Sequence, residues 1–199
     1  MFVIPHSKVF AALLFSSLVS ACASMNPMAM ARLAAFDPLS ADASQIAVAV
    51  RLPEALMLRN GDLVMRIKIS SQDRATSFDQ SFLLEIVDAE GSSVGGLRAQ
   101  TGERLQIAKV AENDLARLRE VQVKVQAHKA IAKGKGEGSL TVGIQGGCKT
   151  EELKAGPLNS SIYLKTNAAS DYYPLISNMD MRKQFGTEVM AKVPACVAG

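Results

Sequence analysis

From Ala43 onward, apolar and polar positions alternate with a period of two, the pattern of strands that turn one face inward and the other to water. Ile46, Val48, Val50 and Leu52 form one such run. Leu63, Met65, Ile67 and Ile69, set against Val64, Arg66, Lys68 and Ser70, form a second. Between them Asn60-Gly61 predicts a tight turn, because both residue types tolerate positive φ. Phe82, Leu84 and Ile86 make a third run, closed by Asp88-Ala89-Glu90-Gly91, and shorter strands are predicted at 93–98 and 104–109.

The period then changes. Residues 111–119 place acids early, arginines late and leucines three apart, which predicts one or two turns of helix. Immediately afterwards Val121, Val123, Val125 and Ala127 alternate with Gln122, Lys124, Gln126 and His128, and this predicts the longest and clearest strand. Gly134, Gly136 and Gly138 turn it back into Leu140, Val142 and Ile144 as a hairpin. Seven candidate strands joined by short turns favour an antiparallel β-sandwich over an α/β sheet, whose parallel strands need long crossover helices.

The order of elements, with Asp114-Leu115-Ala116-Arg117-Leu118 ahead of the long strand, resembles the corner that precedes strand F in immunoglobulin-like domains. Leucine stands where that corner has tyrosine, and the family's cysteine and tryptophan are not in place. The resemblance therefore implies topology only. The fold expected is mainly β: an antiparallel immunoglobulin-like sandwich with a short helix before the longest strand and a partly helical C-terminal tail. In that tail, Ile162 and Leu164 mark a strand, 178–192 reads as helix interrupted at Gly186, and Pro194 stops the chain beside Cys196.

The N-terminus carries a different message. Lys8 is followed by thirteen residues, 9–21, without an ionised side chain. A bilayer core needs about 20, so this stretch reads as an export signal and is set apart from the fold. At its end, Val19-Ser20-Ala21-Cys22 resembles the lipobox of bacterial lipoproteins, with valine where leucine is usual. In that family the cysteine thiol is alkylated by diacylglycerol, the signal is cut just before it, and the new amine is often acylated. The resemblance thus implies an anchor on Cys22. Ala23, which is not the aspartate of inner-membrane retention, points to the outer membrane. Ala21-Cys22-Ala23 also fits ordinary signal peptidase, which would release a soluble chain. The organisation expected is a signal at 1–21, a lipidated tether with a short helical segment at 22–43, and one domain at 44–199.

Export changes the meaning of the remaining cysteines. With Cys22 set aside, Cys148 and Cys196 are an even pair in a compartment where disulfides persist, and they predict a bridge that ties down the C-terminus.

Composition then removes whole classes of function. Of the 199 residues, 48% are hydrophobic and 21% charged, which suits one domain with a sizeable core. Loss of Lys8 with the signal lowers the net charge from +3 to +2, too little to imply a nucleic-acid partner. His6 leaves with the signal, so His128 is the only imidazole for a hydrolase base or a zinc site. Gly143 to Thr150 ends like a phosphate-binding loop, but Cys148 stands where glycine is needed before Lys149-Thr150, so no nucleotide is expected. No metal or other cofactor is expected either.

Asp171, Tyr172 and Tyr173 form a possible binding segment, since acids beside aromatics can line a sugar or peptide site; Asp180 nearby completes a candidate carboxylate pair. The expectation is a lipid-anchored, periplasm-facing envelope protein. It would act as a structural or interaction module rather than an enzyme, with the membrane and an envelope protein as partners. Two alternatives stay open: a carboxylate-dependent hydrolase of envelope polymers, and an accessory lipoprotein of a transport or assembly complex.

Overall fold

Two-residue alternation builds the sheet of this molecule, and a computed structural model describes residues 42–70, 77–88, 93–132 and 137–197. The signal expected at 1–21, Cys22 and the remainder of the expected tether through residue 41 lie outside these. Among the described residues eleven strands follow in chain order: β1 (Ala47–Pro53), β2 (Leu56–Met57), β3 (Leu63–Ser70), β4 (Phe78–Asp88), β5 (Ser93–Val94), β6 (Leu97–Arg98), β7 (Glu103–Val110), β8 (Glu137–Ile144), β9 (Cys148–Lys149), β10 (Asn159–Lys165) and β11 (Tyr173–Asp180). Seven form one sheet in the order β11-β10-β1-β7-β4-β3-β8. Every pairing in it is antiparallel. The sheet is curled into a half-barrel, so the class is mainly β, antiparallel and sandwich-like.

The inner face carries the main core. Val48, Val50 and Leu52 of β1, Leu63 and Met65 of β3, and Phe82 and Leu84 of β4 are all buried there. The outer face of the central strands is covered as well. Ala47 and Ala49 pack with Leu105, Ile107, Tyr163 and Tyr172 in a second cluster, against which Val94 and Leu97 of the small β5–β6 hairpin lie. Thus β1 is buried on both sides, and its small alternate residues are what let the hairpin approach. The Asn60-Gly61 turn forms as expected: Gly61 has φ +85°, and the Asn60 side-chain oxygen accepts from the Ile86 amide at 2.8 Å.

One strand expected from the sequence is a helix. Residues 121–127 belong to α1 (Leu115–Ala132), which continues the short helix anticipated at 111–119. The hairpin with β8 therefore does not exist, and β8 pairs with β3 instead, Val142 opposite Met65. The reason lies in the spacing of burial. Leu118, Val121, Gln122 and Val125, three or four apart, are buried, whereas Val123 is 63% exposed. A strand would have put Val121, Val123 and Val125 on one face. Valine costs a helix only a few tenths of a kcal/mol, far less than packing three apolar side chains into the core contributes, at about 1.5–3 kcal/mol each. Arg117 secures the helix to the sheet. Its guanidinium lies 4.1 Å from the Phe82 ring centroid, pairs with Asp114, and donates to the Ser81 carbonyl at 3.0 Å. His128 therefore stands on a helix, not on a polar strand face.

The tail is partly helical, as expected, but Asn178, Met179 and Asp180, read as the start of the helix, end strand β11. β11 runs into α2 (Met181–Phe185), then Gly186 at φ +92° breaks the helix before α3 (Thr187–Ala191).

Candidate functional site

An apolar cavity of about 340 Å³ lies between the end of the sheet and the C-terminal tail. Its floor is made where β1 runs out: Leu52, then Leu56, Met57 and Leu58, with Ile144 from the end of β8. Its roof comes from the two short helices and the turn after α3, through Met181, Phe185, Val189, Met190 and Val193. Met181 and Met190 are buried, while Val189 is 57% exposed and opens the cavity to solvent.

Local chemistry holds each part. The floor segment turns because β2 pairs with β9, Leu56 opposite Lys149 and Met57 opposite Cys148. Leu58 is held from inside by Gln106 on β7. The Gln106 carboxamide accepts from the Leu58 amide at 2.8 Å and donates to the Leu58 carbonyl at 3.0 Å. Beneath it, Asp62 accepts from the amide and the guanidinium of Arg59 at 2.8 and 3.1 Å. Gly146 lies so close to the Asp62 carboxylate that a β-carbon there would collide with it.

The roof is pinned at both ends. At its start the Asp180 carboxylate caps α2, accepting from the Arg182 amide at 3.0 Å and from the Leu158 amide at 3.3 Å. At its end the Lys149 amide donates to the Pro194 carbonyl at 2.8 Å, and the Cys196 amide donates back to the Lys149 carbonyl at 2.9 Å. The same strand carries the bridge: Cys148 and Cys196 are joined, with Cα atoms 4.9 Å apart.

The glycine-rich run ending at Thr150 is thereby accounted for. Gly146 packs on Asp62 and Cys148 is buried in the disulfide, so the loop forms one wall of the cavity.

Asp171, Tyr172 and Tyr173 are not brought to this cavity. The Tyr172 ring is 9% exposed in the outer cluster, and Tyr173 is 5% exposed in the main core. Burial pushes the Tyr172 phenol above the usual tyrosine range, and the Lys165 ammonium lies 5.7 Å from its ring centroid. Gly95, at φ +50°, makes room for it, since a β-carbon there would sit 3.0 Å from the ring. Asp171 is exposed. It and Asp180 flank β11 at opposite ends; at about 3.3 Å per residue the strand separates them by roughly 20 Å, too far to share one scissile bond.

The cavity is not evident from the order of residues. The available signals were the unalternating run Leu56-Met57-Leu58 and the four-residue spacing of Met181, Phe185 and Val189. Lys192 is the only ionisable side chain in the lining. It stands exposed at the rim just past α3, without an ion-pair partner among the described residues. Among the described residues no group of three or more histidine, cysteine, aspartate or glutamate side chains is placed to hold a metal ion. No helix among them is long and apolar enough to cross a membrane. Compared with family models, curated proteins and solved structures, the chain matches none.

Proposed function

We propose that this chain is a lipid-anchored protein of the bacterial cell envelope whose folded domain is an interaction module. Two features support the reading. The Val19-Ser20-Ala21-Cys22 sequence has the residue types of a lipoprotein processing site. The apolar cavity offers contact surface, with one ionisable group at its rim in place of an acid–base pair. The cavity is the observation that carries the binding role: its volume falls in the range of about 300–1,000 Å³ typical of ligand pockets.

Two or three acyl chains, at about 0.8 kcal/mol per buried methylene, hold such a domain at a membrane surface essentially permanently. Confinement to that thin layer raises its effective concentration for anything else held there. Replacement of Cys22 by serine tests the anchor: the variant should leave the detergent phase for the aqueous phase on temperature-induced partitioning, and an unchanged distribution contradicts it. Cross-linking in intact cells followed by mass spectrometry tests the module, since reproducible cross-links should include residues around the cavity. Cross-links confined to the opposite face of the sheet contradict that placement.

A further inference from the structure

We propose that the cavity binds a single-chain amphiphile with an anionic head, such as a fatty acid, with the acyl chain between floor and roof and the head on Lys192. This deepens the reading of the domain as an interaction module, and it does not depend on the anchor at Cys22.

The interior argues for a chain without hydrogen-bonding groups. Apart from Gln145 and Lys192 the lining side chains are all apolar, and the Gln145 amide already donates to the Gly61 carbonyl at 2.8 Å. A peptide segment would bring an amide and a carbonyl with every residue, more than Gln145 and Lys192 can pair, and burying the rest unpaired is costly. A methylene chain brings none. The volume of about 340 Å³ admits about ten methylene-sized groups, if each takes roughly the 30 Å³ of a liquid water.

The rim argues for the sign of the head. Lys192 is the one charged group of the lining. The segment from the α2 cap to Lys192 carries Arg182, Lys183 and Lys192 against Asp180 and Glu188, and of these only Lys192 lines the cavity. The Arg182 guanidinium is already committed to the carbonyls of Lys154 and Gly156. Lys183 does not line the cavity, which leaves Lys192 as the cation able to pair with a head emerging past Val189.

The test uses the full chain carrying Cys22→Ser, so that no anchor of its own competes, titrated calorimetrically below micelle-forming concentrations. The probes are dodecanoate and dodecyltrimethylammonium. Dodecanoate should bind saturably, at one site, at least tenfold more tightly than the cationic probe. Lys192→Glu should remove or reverse that preference with the fold intact. Val189→Trp, a change at an exposed position that narrows the cavity, should weaken both probes. In a series of shorter fatty acids each methylene should raise affinity about fourfold, levelling off near ten groups.

Absence of saturable dodecanoate binding to the folded protein overturns the proposal, as does equal affinity for the two heads. Self-association that Val189→Trp abolishes and dodecanoate does not affect would give the cavity to a second copy, which also overturns it. Absence of binding in a chain whose native form still partitions through Cys22 refutes this site and leaves the anchor standing. Binding in a chain whose native form stays in the aqueous phase supports the site and refutes the anchor.

Discussion

Gln106 and Leu58 are joined by two hydrogen bonds, 2.8 and 3.0 Å, in which one side-chain carboxamide pairs with both backbone groups of one residue. Leu58 thereby gains the partners a neighbouring strand would supply, and the cavity floor is fixed to the middle of the sheet. Gln106→Met keeps the bulk but leaves the buried amide and carbonyl of Leu58 unpaired. At about 1–3 kcal/mol for each unsatisfied group, the variant should lose about 2–6 kcal/mol of stability in denaturant unfolding. Its Leu58 amide should exchange with solvent faster than those of β1. A loss below about 0.5 kcal/mol contradicts the role assigned to this pair.

The three alternating valines of α1 give a test that separates helix from strand. Val121→Ala and Val125→Ala should each cost about 1–3 kcal/mol, because both side chains are buried. Val123→Ala should be neutral or slightly stabilising, since the residue is exposed and alanine is the better helix former. Equal losses at all three positions in urea unfolding would restore the strand.

That series also shows where the sequence is legible. Strands β1, β3 and β4 announce themselves because each has a clearly apolar inner face, so a period of two has one reading. Around Val121 two periods fit the same letters: valines two apart satisfy a strand, while Leu118, Val121 and Val125 satisfy a helix. Only the curvature of the sheet, which leaves a core for a helix to fill, decides between them. Gln106 reads as a polar position among apolar ones, yet it is buried because its partner Leu58 arrives from 48 residues away. The cavity was hidden for the same reason. Its floor at 52–58 and its roof at 181–193 meet only after the chain has closed on itself. The cysteine pair is readable from parity and from the expectation of export, without geometry.

The bridge between Cys148 and Cys196 spans 48 residues of sequence. In the chain-entropy treatment, closing such a loop contributes about 4 kcal/mol. The Cys148→Ser, Cys196→Ser double variant should lose stability of that order, lowering Tm by roughly 10 °C at about 2–4 °C per kcal/mol. Hydrogen exchange should quicken first in 181–196, which roofs the cavity, and later in the sheet. Loss of less than about 1 kcal/mol, with the tail still protected, contradicts the staple.

Burial of Tyr172 predicts behaviour at high pH. Its phenol ionises above the usual tyrosine range because the charged form would be desolvated. The unfolded chain therefore releases this proton first. The contribution to stability is intact below the ordinary value near 10, and it is lost as pH rises through the folded-state value. Spectrophotometric titration should show a late tyrosinate step that disappears in Tyr172→Phe. A late step that survives the substitution assigns it elsewhere.

Acylation of Cys22 is the step on which a membrane-bound role for the domain depends. Intact-mass and N-terminal fragment spectra of the protein purified from detergent-solubilised envelopes read that modification itself. Such spectra should show a chain beginning at Cys22 that carries diacylglycerol, with or without a further acyl group on its amine. A chain beginning at Ser24, or an unmodified Cys22, would contradict it.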